Sequence, residues 1–195
     1  MLKVISAIIF VIAFCAAVPA DAQDLPDEIR GYKVHEANVV VTNRRDPVGD
    51  REPDAIVRVG DPVIADTSLK GLTIEVTCDL ETLGNSGSVD FLLFKDVRVN
   101  GMAVAIDEYN YGFDFKKKTT VVLPRPVSVF VGTLQSLKGA LGEIRDSKPE
   151  WEVTGTVFVF GKFKKWGMKF KRVVPVEIRL TVQNPIRSRK IFFDQ

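Results

Sequence analysis

From Ala55 onward, apolar and polar residues alternate over short runs that are separated by turn-forming residues. In the clearest run, every second residue from 72 to 80 is apolar, and the residues between them are polar. A period of two places alternate side chains on opposite faces of a strand. We therefore expect a strand over 72–80, with Cys78 on its buried face as a small apolar filler.

Further runs of this kind follow. Residues 89–99 predict a second long strand, and Asn100-Gly101 then predicts a two-residue hairpin, because both of its turn positions favour positive φ. Strands are also expected over 119–123, 151–160 and 176–182. Pro175 indicates that the last of these begins at a sheet edge.

One segment has the period of a helix. Phe130, Leu134, Leu137, Leu141 and Ile144 are spaced by four, three, four and three residues, which places them on one helical stripe. The pattern therefore predicts one helix late in the chain, packed against a sheet.

Together these patterns predict an all-β fold, an immunoglobulin-like antiparallel β-sandwich with one late helix. The sandwich domain is expected over 55–184. A polar N-terminal extension with one short strand, near 37–42, precedes it over 23–54. A basic tail over 185–195 follows it.

The first 22 residues resemble an export signal. Lys3 precedes an apolar run over 5–18, and Ala20-Asp21-Ala22 offers small residues at the two positions that a signal peptidase reads. We expect cleavage before Gln23 and a periplasmic or secreted protein. The run is shorter than the roughly 20 apolar residues that a membrane-spanning helix needs.

Composition excludes several classes. With 46% hydrophobic residues and a net charge of +2, the chain is neither disordered nor a polyanion binder as a whole. Removal of the signal would leave Cys78 as a lone thiol, so no internal disulfide is expected.

Few residues suit catalysis or metal binding. His35 is the only histidine, and one histidine with one cysteine is too few for a typical zinc site. A cluster at Asp46, Asp50, Glu52 and Asp54 leaves calcium open as an alternative to a solvated loop. Asp107, Glu108 and Asp114 leave a carboxylate enzyme open. We expect no enzyme, no cofactor and no bound metal.

The most unusual segment is 153–176, which has six basic residues and no acidic one. Phenylalanines, a tryptophan and a methionine lie between the basic residues. One interpretation is a basic-aromatic hairpin over 158–172 that binds anionic lipid or lipopolysaccharide. The other is an amphipathic hairpin whose lysines only face water. The candidate surface-binding residues are Lys162, Lys164, Lys165, Trp166, Lys169, Lys171 and Arg172.

Three stretches resemble the late-embryogenesis-abundant type 2 family, also called the water stress and hypersensitive response domain. They are 63–77, a short strand leading into a long one; 94–104, with its glycine turn; and 123–157, where a helix precedes Trp-Glu-Val-Thr-Gly. Where the family often has Asn-Pro-Asn, this chain has Thr82–Ser88. The resemblance implies an immunoglobulin-like sandwich with a non-enzymatic role in stress or desiccation protection.

From this we expect an exported, non-catalytic module that binds or stabilises a component of the cell envelope or a protein client. The alternative is a peripheral binder of anionic membrane or lipopolysaccharide through the hairpin over 158–172. Because the protein is expected to be exported, no nucleic-acid partner is expected.

Overall fold

A computed structural model of the chain describes residues 25–43, 53–132, 149–165 and 167–186, although not the side chain of Lys165. These residues form fifteen strands. In chain order they are β1 (Glu28–Ile29), β2 (Tyr32–Val34), β3 (Val39–Asn43), β4 (Ala55–Val59), β5 (Val63–Ser68), β6 (Gly71–Val76), β7 (Cys78–Thr82), β8 (Ser86–Val99), β9 (Met102–Ala103), β10 (Ala105–Ile106), β11 (Phe113–Phe115), β12 (Thr119–Val122), β13 (Val127–Gly132), β14 (Glu150–Lys165) and β15 (Met168–Gln183).

The strands form two layers, so the predicted all-β sandwich is confirmed. The first layer is a sheet in the order β1-β2-β15-β14-β8-β11, with β9 paired to β8. The second layer consists of two four-stranded sheets, β10-β13-β6-β5 and β12-β7-β4-β3. Pairing is antiparallel except between β2 and β15 and between β3 and β4.

A single crease divides the second layer. Three stretches of chain cross it, and each forms one strand on either side: β4 is followed by β5, β6 by β7, and β12 by β13. These three strands have the same order in the sheet on either side of the crease. The strands are interrupted at 60–62, at Thr77 and at 123–126. Backbone hydrogen bonds still join neighbouring segments at the crease: Gly60 N–H donates to the Thr77 carbonyl and Leu123 N–H to the Cys78 carbonyl.

Two apolar clusters fill the space between the layers. One surrounds Trp151 and Ile74, and the other surrounds Tyr109 and Phe115. Both clusters take side chains from β14 and from the second layer. A third cluster lies on the outer face of the first layer, where β1 and β2 cover Phe158, Phe160 and Val173.

The Tyr109 hydroxyl anchors a bend between β12 and β13. It donates a hydrogen bond to the Arg125 carbonyl at 2.9 Å and accepts one from the Arg125 N–H at 3.0 Å. The segment flanked by Pro124 and Pro126 lacks ladder bonding, so this side chain satisfies backbone groups that no strand serves.

The Asn100-Gly101 hairpin is confirmed. Asn100 has φ 49° and Gly101 φ 79°, and Val99 pairs with Met102 across the two-residue turn. The strand over 72–80 also forms but is interrupted at Thr77, where the chain passes from one sheet of the second layer to the other. Cys78 follows the crease and is half-buried rather than fully buried.

Two predicted elements, the late helix and the last strand, differ from the structure. The helix was expected to begin at Phe130, but Phe130 lies in β13 opposite Thr73, because the β-branched alternation of Val127, Val129 and Val131 favours a strand. The remainder of that stripe, in 133–148, lies outside the described residues. The last strand does not begin at Pro175, which lies inside β15 opposite Phe158.

The N-terminal extension differs from the single short strand that was expected. Besides β3, it contributes β1 and β2, and all three strands join the two layers. Residues 28–43 are therefore part of the sandwich.

Candidate functional site

The candidate site is the tip of the ribbon formed by β14 and β15. These strands pair without interruption from Glu150 opposite Gln183 to Lys165 opposite Met168. Two residues join them, and Gly167 adopts φ 80°, a conformation that glycine accommodates at little cost. A tight hairpin turn therefore joins β14 and β15, which have sixteen residues each.

Strand β8 supports the ribbon almost to its tip, because Lys164 of β14 pairs with Ser86. Glycines permit this close approach. A Cβ at Gly161 would overlap the Ser88 carbonyl, and a Cβ at Gly87 would overlap the Lys162 carbonyl. The tip is therefore part of a three-stranded sheet rather than a free hairpin.

Four lysines share one face of the tip, which we call the lysine face. Lys162 lies directly opposite Lys171, and Lys164 directly opposite Lys169. The two pairs are two residues apart along each strand, a separation of about 6.6 Å. Directly opposed like charges repel, so this arrangement lowers the stability of the free ribbon.

Lys164 and Lys169 form the outer pair of the lysine face. Both are exposed, and neither forms an ion pair with any other described residue. Their ammonium groups are therefore available for an anion that approaches from solvent.

Lys162 and Lys171 form the inner pair of the lysine face, and Asp90 is the carboxylate that contacts Lys162. The ladder between β8 and β14 shifts register so that Phe160 pairs with Phe91 and Gly161 with Val89, which leaves Asp90 as an extra residue in a bulge. Its Oδ1 lies 3.3 Å from the Nζ of Lys162. Its Oδ2 accepts a hydrogen bond from the Tyr32 hydroxyl at 2.8 Å.

Tyr32 connects the lysine face to the third apolar cluster. Its ring meets Phe160 edge-on at 5.3 Å and Phe91 edge-on at 6.0 Å, while Phe91 and Phe160 stack at 4.3 Å. The Nζ of Lys171 lies 5.5 Å from the centre of the Tyr32 ring, a cation–π distance. Burial, and then the hydrogen bond and negative charge of Asp90, raise the pKa of Tyr32.

The opposite face of the tip is apolar. Phe163 lies opposite Phe170 and packs at 5.8 Å from Phe115 of the core. Met168, at the turn, is 57% exposed. Arg172 belongs to this face, and its guanidinium lies 5.4 Å from the Phe170 ring.

The structure thus unites only part of the predicted surface. Lys162, Lys164, Lys169 and Lys171 lie together, whereas Arg172 lies on the other face. Trp166 and the side chain of Lys165 lie outside the described residues. Sequence reasoning missed Tyr32 and Asp90, which are 58 residues apart. A bulge that turns one carboxylate towards a distant strand leaves no periodic signal.

The other candidate residues lie elsewhere. His35 is exposed, and its backbone N–H donates to the Val173 carbonyl. Asp54 accepts a hydrogen bond from the Asn38 N–H, while Asp46, Asp50 and Glu52 lie outside the described residues. Within the described ranges, no three histidine, cysteine or acidic residues are grouped to hold a metal ion.

The three carboxylates considered for an enzyme have different surroundings. Asp107 and Asp114 are exposed, and Glu108 pairs with Arg30 at 2.7 Å. A groove of about 480 Å³ lies at the other end of the ribbon, between Glu150, Glu152 and Arg179. None of the three carboxylates lines this groove.

Comparison with known proteins does not identify a family for this chain. No family model and no curated protein matches the chain. One solved structure, described as a protein from Archaeoglobus fulgidus, is similar at 12% identity and a TM-score of 0.36. The match covers 65% of this chain and 95% of that one. The described residues include no helix that is long and apolar enough to cross a bilayer.

Proposed function

We propose that this protein is a non-catalytic β-sandwich module of the cell envelope that binds an anionic lipid surface through the tip of the β14–β15 ribbon. The observation that supports this most directly is the lysine face. In the free protein, the two lysines of each cross-strand pair repel each other, and negative head groups would relieve that repulsion.

The apolar side of the tip favours a lipid surface over a free anion. Met168 is exposed beside the turn, and Trp166 follows the lysines in the sequence. Aromatic and apolar side chains partition into the interface of a bilayer, while neighbouring lysines contact its head groups. Such a tip would contact lipid by charge and by apolar burial at once.

The chemistry expected of the ligand is a phosphate-bearing lipid head group, which phospholipids and lipopolysaccharide share. Each lysine near an anionic membrane contributes about 1 kcal/mol. The exposed outer pair should therefore account for about 2 kcal/mol, or roughly 30-fold in affinity. This contribution should weaken with added salt.

Co-sedimentation with vesicles tests the proposal. The full chain should bind vesicles that contain phosphatidylglycerol more tightly than vesicles of phosphatidylcholine alone. The variant Lys164→Glu with Lys169→Glu should lose at least about 30-fold of the binding to anionic vesicles. A parallel titration with lipopolysaccharide would show which of the two lipid sources binds more tightly.

A charge-matched control is Lys95→Glu with Arg179→Glu. Both residues are exposed on the same sheet, and their partners on β14 are Thr156 and Thr154. Those positions are at least eight residues from Lys164, or about 26 Å along the strand. Equal losses in both variants would attribute binding to net charge and overturn the proposal, as would equal binding to neutral vesicles.

Export and a stress-related role remain predictions. Residues 1–22 lie outside the described residues, so the expected export signal rests on the sequence. Mass spectrometry of the protein from its producing cell tests it, since a mature chain should begin at Gln23. The role in desiccation rests on the family resemblance, and binding of lipid head groups is one physical route by which such a module would stabilise an envelope.

A further inference from the structure

A short hairpin, β1–β2 over residues 28–34, is here called the strap. The strap lies on the outer face of the first layer beside the lysine face. Ile29, Tyr32 and Val34 pack against the cluster that contains Phe160 and Phe91. Without the strap, this aromatic surface would face solvent.

Two contacts of the strap depend on the inner lysine pair. Asp90 accepts the Tyr32 hydroxyl through one oxygen and contacts Lys162 through the other. Lys171 lies over the ring of the same tyrosine. The cations that an anionic head group would attract are therefore the ones that help to hold Tyr32 in place.

We propose that binding of an anionic lipid surface at the lysine face loosens the strap and uncovers the aromatic pair Phe91 and Phe160. This inference rests on the proposed function. A phosphate group competes with Asp90 for Lys162 and with the Tyr32 ring for Lys171. Loss of the Lys171 contact removes a cation–π interaction from Tyr32, and loss of the Lys162 contact frees the Asp90 carboxylate that positions the Tyr32 hydroxyl. Lipid binding and the attachment of the strap are therefore coupled through the same charges.

Besides its apolar packing, the strap has few backbone attachments. It pairs with β15 at only two positions, Lys33 with Arg172 and Val34 with Val173, and one further backbone bond joins His35 to Val173. Its own strands have two and three residues, and an isolated hairpin of that size is not stable in water. Arg30 adds an exposed ion pair to Glu108, a kind that contributes little, and its guanidinium lies 5.6 Å from the centre of the Phe91 ring.

The variant Asp90→Asn separates the competition for Lys162 from the hydrogen bond to Tyr32. The amide oxygen still accepts the Tyr32 hydroxyl, but the charge that competes for Lys162 is gone. Affinity for anionic vesicles should rise about fivefold, the share of one lysine near a membrane. Asp79→Asn on β7 is the matched control, since it makes the same charge change in the second layer, and it should raise affinity less.

Hydrogen exchange of the full chain with vesicles measures the strap directly. On vesicles that contain phosphatidylglycerol, amides of 28–35 should exchange about three- to fivefold faster than on phosphatidylcholine, which corresponds to the loss of one cation–π contact. The β8–β9 hairpin at Asn100-Gly101 is the internal control and should not change.

The outcomes are distinct. Binding to anionic vesicles with unchanged exchange over 28–35 overturns the coupling and leaves the proposed function standing. No preference for anionic vesicles overturns the proposed function and the coupling with it. Binding with faster exchange in the strap alone supports both.

Discussion

The hydroxyl of Tyr109 makes two hydrogen bonds to one residue, donating to the carbonyl of Arg125 and accepting from its N–H. Tyr109 is 5% exposed and also pairs with Leu92 of β8 through its backbone. One side chain thus ties the link between β12 and β13 to the first layer.

Tyr109→Phe should lower the free energy of unfolding by about 2 kcal/mol, because two backbone groups lose their partner inside the protein. Urea denaturation measures this change. Tyr111→Phe is the control. Its ring packs on Tyr109 at 5.2 Å and lies below the Arg125 guanidinium, and both contacts persist without the hydroxyl. A loss of equal size in both variants would contradict the assigned role.

The pH dependence of stability should report the same tyrosine. Burial raises the pKa of Tyr109 above its ordinary value of about 10. The unfolded chain therefore releases its phenolic proton first as the pH rises past about 10, and the free energy of unfolding falls there. Below that pH the contribution is fully present.

The test compares wild type with Tyr109→Phe and with Tyr32→Phe, since the pKa of Tyr32 is raised as well. Each variant should lose less stability than wild type between neutral pH and pH values above the unfolded-state pKa. Parallel curves for wild type and both variants would show that these phenols do not titrate differently on folding.

A single charge reversal at the ribbon tip should stabilise the protein while weakening its binding to anionic vesicles. Lys164→Glu replaces a repulsive pair with an attractive one opposite Lys169, which favours folding by about 0.5 kcal/mol. The gain should shrink at high salt because both residues are exposed. Lys95→Glu, opposite Thr156, offers no such partner and should leave stability unchanged. A destabilised Lys164→Glu variant would contradict the assigned register.

Gly161→Ala should destabilise the sheet by about 2 kcal/mol or more, because its Cβ would overlap the Ser88 carbonyl and force β8 away from β14. Gly132→Ala is the control, since a Cβ there meets only the Phe130 side chain at 3.7 Å. Thermal denaturation of the two variants distinguishes the close approach from a general effect of alanine in a strand. Similar melting temperatures for both variants would contradict it.

Short-range patterns predicted the features that depend on neighbours in sequence. The Asn100-Gly101 turn needed only two adjacent residues with positive φ, and the alternation of Lys169, Phe170 and Lys171 along the strand accounts for both lysines lying on one face. Arg172 was grouped with those lysines by composition. Its odd offset from Lys171 places it on the other side.

Long-range features left no comparable signal. Phe130 fits a helical stripe and a strand equally well, and only pairing with Thr73 of β6 decides between them. Pro175 resembles the start of a strand, but β15 is paired on one side only beyond Val173, so proline is tolerated inside it. The contact between Tyr32 and Asp90 depends on a bulge that no local rule places.

The crease in the second layer has a consequence for how the molecule unfolds. Both halves of that layer contribute side chains to both apolar clusters, since Val59 of β4 joins the cluster of Ile74 and Val127 of β13 joins that of Tyr109. Strand β14 likewise contributes Val153 to the first cluster and Val157 to the second. Strands β8 and β14 both pack on the two clusters, so neither half of the second layer can unfold without exposing side chains that the other half covers. We expect one cooperative unit, and truncation at Gly60, Thr77 or Leu123 should leave no fragment that folds independently.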